Sequence, residues 1–265
     1  MTSLLVTRAG PVATVTLNRP EIRNAFDDAL IAALTEAFRE LGADPDVRVI
    51  VLAAAGKAFC AGADLAWMRR MADYSHAENL ADATALATML RTLHECPKPV
   101  IARVQGDVFA GGMGLVAAAD IAIAAPSARF CLSEVKLGLI PATIAPYVIA
   151  ALGPRAARRF FLTAEIFSAG TALATGFVHE LADADALDAA VSRLVDQLLA
   201  ASPAALSACK RLLADVGGRP VDDALVADTA ARIADIRASS EGREGVQSFL
   251  QKTKPSWLAA PAERA

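Results

Sequence analysis

Apolar residues along this chain recur first with strand-like and then with helix-like spacing, and the alternation predicts an α/β protein. Residues 4–6 and 12–17 run apolar or alternate around Arg8-Ala9-Gly10-Pro11, the pattern of a β-hairpin. Residues 27–41 carry a stripe of Leu30, Leu34, Phe38 and Leu41 at helical spacing, with Asp27 and Asp28 at the end where a helix favours negative charge. Strand-like and helix-like runs then alternate to Val178. Beyond about Asp185 the pattern is almost wholly helical, over residues 187–200, 203–216, 221–239 and 243–252. Pro203 suits the first turn of its helix, and Gly217-Gly218 suits the end of it. The pattern divides the chain into an α/β part, 1–184, and a helical part, 185–265.

Two small-residue turns interrupt this alternation. Lys57-Ala58-Phe59-Cys60-Ala61-Gly62-Ala63-Asp64-Leu65 follows the apolar run 47–53, and Gly111-Gly112-Met113-Gly114 follows the run 99–104. Each leads into a helix-like stretch. A turn that opens a helix leaves backbone N–H groups without partners, and small side chains let a ligand oxygen approach them. Two such turns can hold one carbonyl oxygen between them, which is how an oxyanion hole is built.

Composition narrows the classes. The chain has 265 residues, 55% of them hydrophobic but only 5% aromatic, so its apolar material is mainly Ala, Leu and Val. No run approaches the eighteen or so apolar residues of a spanning helix, and the N-terminus lacks a signal-peptide pattern. A formal charge of −3 argues against nucleic acid as a partner and requires any site for an anion to be local. Cys60, Cys96, Cys131 and Cys209 lack metal-ligand spacing and read as reduced thiols of a cytoplasmic protein; the three histidines, His76, His94 and His179, are scattered. No metal site is expected. Cys60 stands beside the first turn, where a small buried apolar role outweighs a nucleophilic one. The glycine turn is not GxGxxG, and no GxSxG elbow is present.

The motifs Phe59-Cys60-Ala61-Gly62-Ala63-Asp64-Leu65, Gly111-Gly112, Asp120-Ile121-Ala122-Ile123-Ala124 and Ser133-Glu134-Val135-Lys136-Leu137-Gly138-Leu139-Ile140-Pro141 together resemble the enoyl-CoA hydratase/isomerase (crotonase) superfamily. The opening Leu17-Asn18-Arg19-Pro20-Glu21-Ile22-Arg23-Asn24-Ala25 and the closing Glu244-Gly245-Val246-Gln247-Ser248-Phe249-Leu250 fit it as well. The resemblance implies a spiral of ββα units with a helical C-terminal region used in homotrimers or dimers of trimers. It also implies an acyl-CoA thioester substrate, with coenzyme A as part of the substrate and no separate cofactor. The oxyanion donors are then the N–H groups of Ala63 and Gly111, and Glu134 carries the proton. Arg23, Lys57 and Lys252 match basic positions that meet the phosphates of CoA, and Ala25, Ala61, Asp64, Leu65 and Ala66 flank the ligand.

One position departs from the family. Many hydratases there place a second glutamate where this chain has Gly114, twenty residues before Glu134. Either Glu134 then serves both halves of a hydration, or another group is recruited, or the reaction is one that needs only one carboxylate, such as moving a double bond; a further possibility is an acyl-CoA-binding member without catalysis. Gly114 also suggests space for a branched or carboxylated acyl group. The segments 61–68, 132–142 and 155–165 are similar to bacterial methylglutaconyl-CoA hydratases, which favours hydration of a branched substrate. Trp67 and Met68 either line an acyl pocket or pack inward.

Overall fold

The computed structural model describes residues 2–258. β1 (Leu4–Ala9) and β2 (Val12–Leu17) form the expected hairpin, turning on Gly10, whose φ of 57° suits glycine. α1 (Asp28–Ala43) follows, then β3 (Val49–Ala54), α2 (Leu65–Ala72), α3 (His76–His94) and β4 (Val100–Val104). A two-residue strand, β5 (Val108–Phe109), precedes α4 (Gly111–Ala118), β6 (Ile121–Ala124) and β7 (Arg129–Cys131). After them come α5 (Ala145–Thr163), β8 (Phe167–Ser168), α6 (Ala169–Ala174) and β9 (Glu180–Leu181). The chain ends in α7 (Leu187–Ala200), α8 (Pro203–Val216), α9 (Asp223–Ala238) and α10 (Ser240–Gln251).

The main sheet has the order β1-β2-β3-β4-β6-β9, parallel throughout except for the hairpin. β3 is buried along its whole length, as a parallel strand covered on both faces must be. One face meets Leu30, Leu34, Phe38, Leu90 and Leu93 of α1 and α3 in the larger core. On the other face Val49, Val51, Ile101 and Ile123 meet Leu187, Val191 and Val195 of α7. The first helix of the region 185–265 thus covers the sheet; residues 259–265 lie outside those described.

A second sheet, β5-β7-β8, stands apart, with β5 and β7 parallel and β7 and β8 antiparallel. It stands between the apolar runs and the glycine turns that follow them. Residues 55–64 leave β3 as a loop before α2 begins, and β5 intervenes between β4 and α4. Two residues are too short a run for a periodic signal to reveal.

The starts of α1, α2, α9 and α10 follow their caps. Asp27 accepts from the Leu30 N–H, and Asp64 accepts from the N–H groups of Ala66 (2.7 Å) and Trp67 (3.1 Å). α9 begins two residues later than its apolar pattern, where Asp222 caps it, and α10 begins at Ser240 with Ser239 as cap. Arg19 joins two of these caps. Its guanidinium lies 2.9 Å from Asp27 Oδ2 and 3.0 Å from Asp64 Oδ2, and it donates to the carbonyl of Ala25 at 3.0 Å. Arg19 therefore ties the starts of α1 and α2 to the loop between β2 and α1. Charged hydrogen bonds in this partly buried setting predict that Arg19→Ala costs about 1–3 kcal/mol. Urea unfolding measures it, and a loss below about 0.5 kcal/mol would show that the caps hold without the arginine.

Candidate active site

Three parallel backbone segments lie side by side and deliver the candidate residues at one end. Cys60 bridges Val108 in parallel, and β5 pairs with β7 in the register Val108 with Phe130 and Phe109 with Cys131. Ala63 lies three residues beyond Cys60, Gly111 two beyond Phe109 and Glu134 three beyond Cys131. All three leave by the carboxyl ends of their segments, where ligands collect in parallel α/β sheets. The Phe109 N–H donates to the Cys60 carbonyl at 2.9 Å, and the Ala110 N–H to the Cys131 carbonyl at 2.8 Å.

The two proposed donors are free of this ladder. Phe26 bridges Ala63 in parallel, accepting from the Asp64 N–H (2.9 Å) and donating to the Gly62 carbonyl (2.8 Å). The N–H of Ala63 lies between those two groups in extended backbone, so it faces the other way. Gly111 is the first residue of α4, and first-turn N–H groups have no acceptor within their helix. Among the described residues neither N–H is engaged by a backbone carbonyl outside the regular elements. The turns also touch. A Cβ at Gly62, whose φ is 91°, would fall 2.9 Å from Ala110 Cβ and 3.8 Å from Gly111 N. One at Gly111 would fall 2.2 Å from Phe26 Cζ. Ala110, between them, is held at φ 47°, a strained value for alanine.

Glu134 starts the 3-10 turn Glu134–Leu137. Its Oε2 is buried with no hydrogen-bond partner among the described residues. Burial pushes its carboxyl above the usual glutamate range, opposed in smaller part by its own backbone N–H. A carboxyl so placed can keep its proton nearer neutral pH, as an acid/base requires. Cys60, by contrast, is fully buried and its thiol is pushed up to about 12 by loss of solvent. It is not poised as a nucleophile.

Arg23 and Lys57 meet. They line one hollow of about 610 Å³ with Pro20, Glu21, Gly56, Ala58, Asp107 and Arg129. Neither cation is in an ion pair among the described residues, whereas Arg129 is held by both oxygens of Asp107, at 2.9 and 2.6 Å. Asn24 joins the two loops. It is fully buried, donates to the carbonyls of Ala55 (2.8 Å) and Ala58 (2.9 Å), and accepts from the Arg19 N–H. Arg23 and Asn24 both take left-handed φ, 55° and 54°. Asparagine tolerates that conformation better than most residues, a hint the sequence carried in Arg23-Asn24. Arg129, far away in sequence, gave no local signal.

The remaining candidates separate. Ala25 is buried and gives its carbonyl to Arg19, and the Ala61 N–H donates to the Arg23 carbonyl at 2.9 Å. Leu65 and Ala66 open α2, with Leu65 exposed. Asp64 is occupied as the cap of α2 and the partner of Arg19. Burial acts against its charge, but the N–H groups of Trp67 and Ala66 and then Arg19 outweigh it and hold its carboxyl below the usual range. Lys252 caps the end of α10 and lines no part of the hollow that holds Arg23 and Lys57. Trp67 is 3% exposed with its ring 6.0 Å from that of Phe26, which is inward packing.

Gly114 needs correction. It does not open space for an acyl group, because Ile144 fills the volume. A Cβ at 114 would fall 2.3 Å from Ile144 Cγ2, 2.9 Å from Ile144 Cβ and 3.3 Å from Leu90 Cδ2. Ile144, at the start of α5, is 1% exposed. Spacing along the chain could not show that a residue thirty positions away had taken the place.

A model of the enoyl-CoA hydratase/isomerase family matches residues 7–260. An enoyl-CoA hydratase from Shewanella pealeana superposes with a TM-score of 0.94 at 44% identity, covering 97% of this chain and 96% of that one. The enoyl-CoA hydratase ACTT6 of Alternaria alternata is 36% identical over 91% of this chain and 79% of its own. A carnitinyl-CoA dehydratase of Salmonella enteritidis is 32% identical over 96% of this chain and 98% of its own. Fold and comparisons thus define an enzyme of crotonase architecture that works on acyl-CoA thioesters. The chain belongs to the enoyl-CoA hydratase/isomerase family, and within it this is a hydratase-like enzyme.

The shared volume at 114 and 144 predicts coupled substitutions. Gly114→Glu alone overpacks the site and costs about 1–3 kcal/mol. Combined with Ile144→Gly, it should be more stable than the two separate losses sum to, by at least about 1 kcal/mol. Strictly additive losses in denaturant unfolding would mean the two positions do not compete for space.

Proposed function

We propose that this enzyme adds water across the double bond of an α,β-unsaturated acyl-CoA, with Glu134 as its acid/base and the N–H groups of Ala63 and Gly111 as its oxyanion hole. The observation that carries the reading is the common end of three parallel segments, which gathers two unengaged backbone donors and a carboxyl whose Oε2 is buried without a partner among the described residues. The donors accept charge as it moves onto the thioester oxygen, each worth roughly 2.7–4 kcal/mol in the transition state. Glu134 takes a proton from water as its oxygen bonds to C3. The enolate then recovers a proton at C2 from the acid so formed, and one water has been added in all.

Arg23 and Lys57 bind the phosphates of CoA, supported by their shared hollow and lack of ion-pair partners. No cofactor beyond the substrate's own coenzyme A takes part. The acyl group is branched, of the 3-methylglutaconyl kind; the sequence motifs around Glu134 support this, and the missing side chain of Gly114 does not. Trimers or dimers of trimers form through α8–α10, whose Leu213, Phe249 and Leu250 are 70–82% exposed. The four cysteines are free thiols, which suits the cytoplasm.

Isomerisation is the second reading, favoured by the single carboxylate, since one base can carry a proton between C2 and C4. Crotonyl-, 3-methylglutaconyl- and 3-enoyl-CoA offered to the enzyme separate the two. A product heavier by one water supports hydration; a relocated double bond without added mass supports isomerisation.

Glu134→Gln tests the acid/base and its cost together. Turnover should fall to near background while KM changes little, because the amide cannot exchange a proton at working pH. The carboxyl is raised in the fold above the ordinary glutamate value of 4.5. Between that value and the raised one the folded state binds more proton than the unfolded, so stability falls as pH rises through the window. Gln removes this loss, so the variant should melt higher than wild type at pH 8 and not at pH 4. Wild-type kcat in the variant would remove Glu134 from the mechanism, and equal melting at both pH values would deny it a raised carboxyl.

A further inference from the structure

Phe26 meets both glycine turns. Its main chain is hydrogen-bonded to the first, at Gly62 and Asp64, and its ring lies against the second. A Cβ at Gly111 would fall 2.2 Å from Cζ, 2.8 Å from Cε1 and 3.4 Å from Cε2, so the tip of the ring occupies the place a side chain at 111 would need. The ring is itself held from behind. Phe26 is 2% exposed, the Trp67 ring packs at 6.0 Å, and Trp67 Nε1 donates to Asp82 at 3.1 Å. On the chain, Asp27 next to it caps α1 and pairs with Arg19.

We infer that Phe26 is a positioning residue that sets the separation of the two oxyanion donors, an inference that rests on Ala63 and Gly111 being those donors. Its backbone fixes Ala63 whatever the side chain is, while its ring tip sets how far Gly111 stands from it. A shorter side chain lets the start of α4 settle towards Phe26, and a longer one pushes it away. The cations at Arg23 and Lys57 are unaffected, because Asn24 holds their loops through separate hydrogen bonds. Phe26 therefore governs polarisation of the thioester carbonyl without governing attachment of CoA.

Phe26→Leu and Phe26→Tyr test this on the full-length enzyme. Tyr is the more nearly isosteric change, but it places a hydroxyl at Cζ, directed at Gly111. A displacement of about 1 Å can cost on the order of 100-fold in rate. Both variants should therefore lose roughly 10- to 100-fold in kcat on crotonyl-CoA, with KM within about twofold of wild type. The second measurement uses a chromophoric enoyl-CoA whose absorbance moves to longer wavelength when its thioester carbonyl is hydrogen-bonded. That shift should be present in wild type and reduced in both variants. Folded variants that keep the full shift and wild-type kcat would overturn the inference and leave Phe26 as core packing. Loss of kcat matched by an equal rise in KM would overturn it too, as general loosening. A wild type without any shift would instead refute the oxyanion reading beneath it.

Discussion

The site depends on backbone approaching backbone. A carbonyl oxygen can be held by main-chain N–H groups only if two separate turns come within one oxygen's reach, and side chains stand in the way of that approach. Gly62 against Ala110 and Gly111 against Phe26 are where this chain removes them. The loops carrying the turns must then be held by other means, since small residues contribute little packing. Side-chain amides supply the hold. Asn24 and Gln105 both donate to the carbonyl of Ala58, and Gln105 also donates to those of Ala54 and Gly56. Arg19 fixes the helix starts on either side.

Charge is distributed in keeping with this arrangement. The acids and bases near the turns are mostly spent on structure: Asp27 and Asp64 on caps, Asp107 on Arg129, Arg19 on all three of its partners. Arg23 and Lys57 are left over on one side and Glu134 on the other. An acidic protein thus presents a local cationic hollow for phosphate groups, and a separate carboxyl kept from water. The two demands, solvation of the ligand's charge and desolvation of the acid, are met in different places.

Much of this was legible from residues alone, for identifiable reasons. Long periodic elements such as α1 and α8 were visible because their apolar spacing and caps agree, and α7 by its apolar spacing alone. The turns at Ala63 and Gly111 were visible because runs of small residues beside apolar runs are unusual. The ladder that aligns them was not, since it consists of single bridges and two- or three-residue strands. Arg129 reaches the hollow through the pairing of β7 with β5, a contact without local trace. Gly114 was misread for a similar reason: an absent side chain looks like space until its neighbour, Ile144, is known. Lys252 was carried over from the family's motif and does not line the hollow with Arg23 and Lys57.

The depth of Cys60 has a chemical consequence. Enoyl thioesters are Michael acceptors, and a thiolate is the side chain most prone to add to them. Cys60 stands three residues from Ala63, and a Cβ at Gly112 would fall 3.2 Å from its sulfur, so the thiol lies directly beneath the two turns. Sealed from solvent and pushed up to about 12, it stays protonated through the physiological range. The enzyme can thus fill this tight spot with a soft, polarisable atom and still escape alkylation by the compounds it handles.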